Sequence, residues 1–206
     1  MNDSFISARR SLLCHTARFA IAAASTALPG LALSSVLSTP GASPAAAIEL
    51  SSTPLSVSDA RGLAMFNTHT REKIDLVYAT GERYLPQALG GLNHFLRDHY
   101  TGQVGQIDPE VFDLLHSVRE LLGSKSSFEV ISGYRCDATN RHLRQTRGGG
   151  VAEKSLHTQG KAIDVRLPGV PLAELRKAAL SLRAGGVGFY PHEQFVHIDT
   201  GRVRTW

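Results

Sequence analysis

Two cysteines and one tryptophan in 206 residues leave little room for several kinds of protein. Two thiols cannot build a disulfide framework. Cys14 falls in a stretch expected to be removed, so Cys136 has no partner and reads as a small buried filler. No uninterrupted run of about 20 apolar residues occurs, which argues against a retained membrane span. Basic residues exceed acidic ones by only 4 and are scattered, so no nucleic-acid footprint is expected. No repeat or heptad is present, and Gly148-Gly149-Gly150 lacks the Lys and Ser/Thr of a phosphate loop, reading instead as a flexible rim. What remains, 42% hydrophobic and 19% charged, is the composition of a globular domain.

Charge is also missing from Phe19 to Ile48, directly after Arg9, Arg10 and Arg18. A positive start, an apolar stretch from Phe19 to Val36 and small residues at Ala45-x-Ala47 describe an export signal, expected to be cleaved after Ala47. Arg9-Arg10 followed by Ser11-Leu12-Leu13 resembles a twin-arginine signal. That implies the twin-arginine translocon as a partner during export and a periplasmic destination, with an ordinary secretory signal as the alternative. Residues 1–47 are thus read as signal, 48–61 as linker and 62–206 as one domain, with no membrane association after removal. Loss of the signal lowers the net charge from +4 to +2.

Within the domain, Leu63–Phe66 and Ile74–Tyr78 flank a polar stretch and predict a hairpin. Leu85, Leu89, Leu92, Phe95 and Leu96 recur at helical spacing. So do Val111, Phe112, Leu115, Val118 and Leu122, preceded by Asp108 as N-cap and Pro109 at the first helical position. Strands are expected at 128–132, 162–166, 187–190 and 195–199, and helices at 137–145 and 171–183. This irregular mixture lacks a repeated βαβ rhythm and predicts an α+β domain, a mostly antiparallel sheet flanked by helices.

Two segments carry the candidate chemistry: Ser155-Leu156-His157-Thr158-Gln159-Gly160-Lys161-Ala162-Ile163-Asp164 and Phe195-Val196-His197-Ile198-Asp199. A catalytic zinc site takes three nitrogen or oxygen ligands and leaves one position open, and His157, Asp164 and His197 supply such a set. The odd separation of His157 and Asp164 demands a bend, which Gly160 permits. Asp199, two residues beyond His197 on a strand, shares its face and is placed to orient a ligand histidine or a water. By spacing alone, hydrogen-bonded core histidines remain an open alternative.

The pattern Ser155-x-His157-x-x-Gly160-x-Ala162-x-Asp164, with a strand-borne His197 some thirty residues later, resembles the zinc D-Ala-D-Ala metallopeptidases, peptidase family M15, and within them the YcbK-type murein endopeptidase branch. The resemblance extends over Phe66–Thr70, Leu92–His99, Ile131–Arg135, Gly150–Ala152 and Gly185 through Trp206. It implies a Hedgehog/DD-peptidase-like fold, one zinc ion held by His157, Asp164 and His197, and hydrolysis of peptidoglycan peptides in cell wall remodelling. It also places Arg135 where relatives stabilise the tetrahedral intermediate, with a salt bridge to Asp137 as the alternative, and Ser155 where relatives contact substrate. The general base stays open. Where some relatives carry Glu, this chain has Gln194, and the middle histidine of another pattern is Phe195. His192, Glu193 and Asp199 are the candidates. A non-catalytic peptidoglycan-binding module and a D,D-carboxypeptidase are the rival functions.

Overall fold

The computed structural model describes residues 59–146 and 151–206. The export signal, most of the linker and the rim Gly148–Gly150 lie outside the described residues. The predicted hairpin is β1 (Ala60–Asn67) and β2 (Lys73–Thr80), paired antiparallel. Strand β1 takes in Ala60 and Arg61, which corrects the linker boundary drawn at 61. Arg61 breaks the apolar alternation that marks a strand in sequence, but its guanidinium pairs with Asp113 across the domain.

A two-residue strand β3 (Arg83–Tyr84) follows, then helix α1 (Pro86–Phe95) and helix α2 (Pro109–Leu121). Helix α2 starts where its cap dictates: the Asp108 carboxylate accepts from the Glu110 N–H at 3.1 Å, and Pro109 needs no partner for a missing donor. Its apolar stripe, Val111, Phe112, Leu115 and Val118, is fully buried. The chain continues through β4 (Phe128–Ser132), α3 (Asp137–Thr146), β5 (Ala162–Arg166), α4 (Leu172–Ser181), β6 (Gly186–Tyr190), β7 (Phe195–Asp199) and β8 (Arg204–Thr205).

The strands form one eight-stranded sheet in the order β3-β2-β1-β4-β5-β7-β6-β8. Five pairings are antiparallel, as expected; β1–β4 and β6–β8 are parallel, so the sheet is mixed. The first parallel pair arises because α1 and α2 carry the chain over between β1 and β4, the long crossover that parallel neighbours need.

Away from the site, the buried Tyr78 hydroxyl donates to Asp113 at 2.8 Å, and Tyr84 donates to the other Asp113 oxygen at 2.5 Å. With Arg61 this locks the hairpin onto α2, and burial together with the Asp113 bond pushes the Tyr78 phenol well above its ordinary range. Four central strands set up the site: Ser132 of β4 faces Asp164 of β5, Asp164 faces His197 of β7, and His197 faces Gly188 of β6.

Candidate metal centre

Side chains directly opposite each other on antiparallel strands share a face, so register alone sets Asp164 beside His197. His157 arrives from a different element, a single 3-10 turn at Leu156–Gln159 that ends on Gly160 at φ 68°. The bend expected at Gly160 is therefore present, and it is tight. A Cβ at Gly160 would lie 1.8 Å from the Gln106 carbonyl oxygen, so only glycine fits both the left-handed backbone and the packing.

One ligand atom from each of His157, Asp164 and His197 lies within 4.8 Å of the others, and all three residues are buried. The His197 Nδ1 is 2.8 Å from Asp164 Oδ1 and 3.2 Å from His157 Nε2, and His157 Nε2 is 3.3 Å from Asp164 Oδ2. Each imidazole is fixed from behind. The His157 Nδ1–H donates to the Gly133 carbonyl at 2.8 Å, which turns Nε2 toward the cluster. The His197 Nε2–H donates to Asp199 Oδ2 at 3.0 Å, which turns Nδ1 inward. Two oriented nitrogens, one carboxylate and a common open side fit a divalent cation of the zinc type.

Burial raises the energy of the Asp164 charge, yet His157 and His197 outweigh it and hold the carboxyl well below the usual range. Burial likewise pulls His197 down, but its hydrogen bonds to Asp164 and Asp199 win and raise it to about 9. Asp199 is fully buried and also held low. Its Oδ1 accepts from Gly186 N–H at 3.0 Å, Gly201 N–H at 2.8 Å and Arg204 Nη1 at 3.0 Å, and its Oδ2 accepts from Arg204 Nη2 at 2.8 Å besides His197.

His157, Asp164 and His197 line one cleft of about 440 Å³, together with Arg135, Ser155 and Glu193. Beyond Arg135, Asp164 and Phe195 it meets a smaller recess of about 60 Å³. That recess is bounded by His69 and His99, whose rings stack at 3.8 Å. The Arg135 Nη2 lies 4.0 Å from Asp164 Oδ2 and donates to Ser132 Oγ at 3.2 Å. Its Nη1 meets Asn140 Oδ1 at 3.5 Å, so Arg135 faces the cluster.

The base candidates separate. Glu193 is exposed and lines the cleft. His192 sits on the exposed turn before β7 and is not among the residues lining the cleft. Asp199 is behind His197 with both oxygens engaged, which corrects its reading as a base and favours the orienting role. Sequence reasoning missed Asn140, whose buried amide donates to the Ala152 and Glu153 carbonyls at 3.1 and 3.2 Å and so ties the cleft rim to Arg135. It also gave no role to Asp98, 1% exposed, which accepts from the Cys136 N–H at 2.9 Å and anchors the backbone next to Arg135. No periodicity or spacing marks such residues.

The model of a peptidase family described as peptidoglycan L,D-endopeptidase MepK matches residues 55–206. The peptidoglycan L,D-endopeptidase MepK of Escherichia coli (strain K12) is 47% identical over 152 residues, covering 74% of this chain and 83% of that protein. A probable peptidoglycan L,D-endopeptidase MepK of Haemophilus influenzae is 42% identical over 147 residues, 71% of this chain and 78% of the relative. No solved structure matches the chain significantly. The resemblance read from the sequence is thereby borne out: this chain is a member of the M15 peptidases, in the branch that the murein endopeptidase MepK describes.

Proposed function

We propose that the chain is a zinc-dependent endopeptidase that hydrolyses L,D-peptide bonds in the cross-links of bacterial peptidoglycan. The observation that carries this reading is the buried His157–Asp164–His197 cluster, which lines a cleft together with Arg135. A divalent cation held by the three ligands supplies Lewis acidity at the scissile carbonyl. Arg135, always protonated, donates to the oxygen that becomes negative in the transition state. Glu193 takes the proton of the attacking water and returns it to the leaving amine nitrogen as the C–N bond breaks, and Ser155 contacts the peptide. The L,D preference comes from the relatives' names. Arg9-Arg10 and the apolar stretch after them support twin-arginine export and a periplasmic site of action.

Mass spectrometry of cross-linked muropeptides incubated with the protein lacking residues 1–47 tests this. The expected result is conversion of L,D-linked dimers to monomers by the wild type and none by His157→Ala or His197→Ala. Loss of terminal D-Ala alone would indicate a carboxypeptidase, and bound but uncut dimers at every pH and metal tried a binding module; either overturns the proposal.

A further inference from the structure

One wall of the cleft is an indole that the ligand set does not explain. Trp206 is 46% exposed, lines the cleft, and its ring centroid lies 5.3 Å from that of the His197 ring. Its position is built rather than incidental. The Trp206 Nε1–H donates to the Tyr190 hydroxyl at 2.8 Å, and its carbonyl accepts from the Phe189 N–H at 3.0 Å. The ring lies over Gly188, the residue opposite His197 in the β6–β7 pairing; a Cβ there would sit 2.7 Å from two of its ring carbons. Glycine at 188 thus makes the space that brings the indole beside the ligand histidine. The Arg204 guanidinium lies 4.8 Å from the ring centroid while also gripping Asp199, so one side chain touches both the wall and the His197 support.

A half-exposed aromatic face held this firmly beside the reacting centre serves to pack against something flat or apolar. Resting on the endopeptidase reading above, we infer that Trp206 is a substrate-contacting residue: its indole packs on the peptide planes and methylene carbons of the cross-linked stem peptide next to the scissile bond. Substrate affinity therefore depends on this ring, while bond breaking remains with the cluster and Arg135.

Two variants and one spectroscopic reading test it on purified L,D-linked muropeptide dimers. Trp206→Ala removes the ring, and Gly188→Ala keeps the ring but displaces it, together with its Nε1–H bond to Tyr190. Both should raise KM roughly five- to tenfold, with kcat within about twofold and the melting temperature little changed, the loss expected for one aromatic contact. A KM within twofold of wild type in both variants overturns the inference. Trp206 is the chain's one tryptophan, so emission reports on the cleft alone. Saturable binding of the dimers to the wild type must shift or quench that emission, and binding seen by calorimetry with unchanged emission also overturns it. A wild type that binds and shifts its emission but cuts nothing sinks the endopeptidase reading and leaves the contact standing.

Discussion

The Asp199 carboxylate reaches His197 Nε2 at 3.0 Å from two positions along the same strand, and Arg204 holds that carboxylate with two further bonds. His197 therefore presents Nδ1 to the cluster in one orientation only. Asp199→Asn keeps the shape but loses the charge and offers an N–H where five donors now converge. Metal affinity should fall about 10–100-fold, the usual effect of losing a ligand's hydrogen-bonded support. Competition against a chelating dye, below the melting transition, checks it; affinity equal to wild type would show that His197 needs no such support.

Arg135 meets Asp164, Ser132 and Asn140 beside the cluster. Arg135→Lys keeps the charge and loses the planar fork. We expect kcat on muropeptide dimers to drop roughly 10²–10³-fold, the scale for one transition-state donor, with metal content by elemental analysis unchanged. A drop in metal content of the same size would reassign Arg135 to holding the cluster together.

Much of this site was legible because its parts follow local rules. The His157, Gly160 and Asp164 spacing encodes a turn and an inward carboxylate, and β7 alternation puts His197 and Asp199 on one face. Strand β4, strand β5 and strand β7 fall on the residues that their apolar runs marked. What escaped depends on contacts distant in sequence. Strands β3 and β8 are two residues long and have no period to read. Asn140 and Asp98 matter through backbone groups far along the chain. The β1–β4 parallel pair is decided by how α1 and α2 pack.

Gly160→Ala asks for a Cβ 1.8 Å from a carbonyl oxygen at a left-handed residue. The backbone must move, and destabilisation of about 3 kcal/mol or more follows. Because that backbone carries the turn between His157 and Asp164, metal affinity should fall along with the chemical denaturation midpoint. A variant with wild-type midpoint and affinity would mean that the turn relaxes freely.

Asp113→Ala tests the opposite end. Tyr78, Tyr84 and Arg61 lose a shared acceptor in a largely buried place, at a cost of about 2–4 kcal/mol. The His157–Asp164–His197 cluster takes no part in that network, so metal affinity and KM in the surviving folded protein should stay at wild-type values.

The metal-free protein should also reveal its site through pH. In it both His197 nitrogens lie against carboxylates, and the group titrates at about 9 where an ordinary histidine does so at 6.5. A folded-state value raised above the unfolded one contributes stability that is fully present below about 6.5 and is lost as pH climbs toward about 9. Asp164 and Asp199 act the other way, their contribution being lost only in acid, below the ordinary carboxylate range. Chelated wild type should therefore melt at progressively lower temperature from pH 6.5 to 9, and chelated His197→Gln should lack that slope. Loading the metal requires Nδ1 to give up its proton, so titration calorimetry at pH 7 in buffers of different ionisation enthalpy should show about one proton released per ion bound. Heats independent of the buffer would mean that His197 is already neutral, and the carboxylates on its two sides do not govern it.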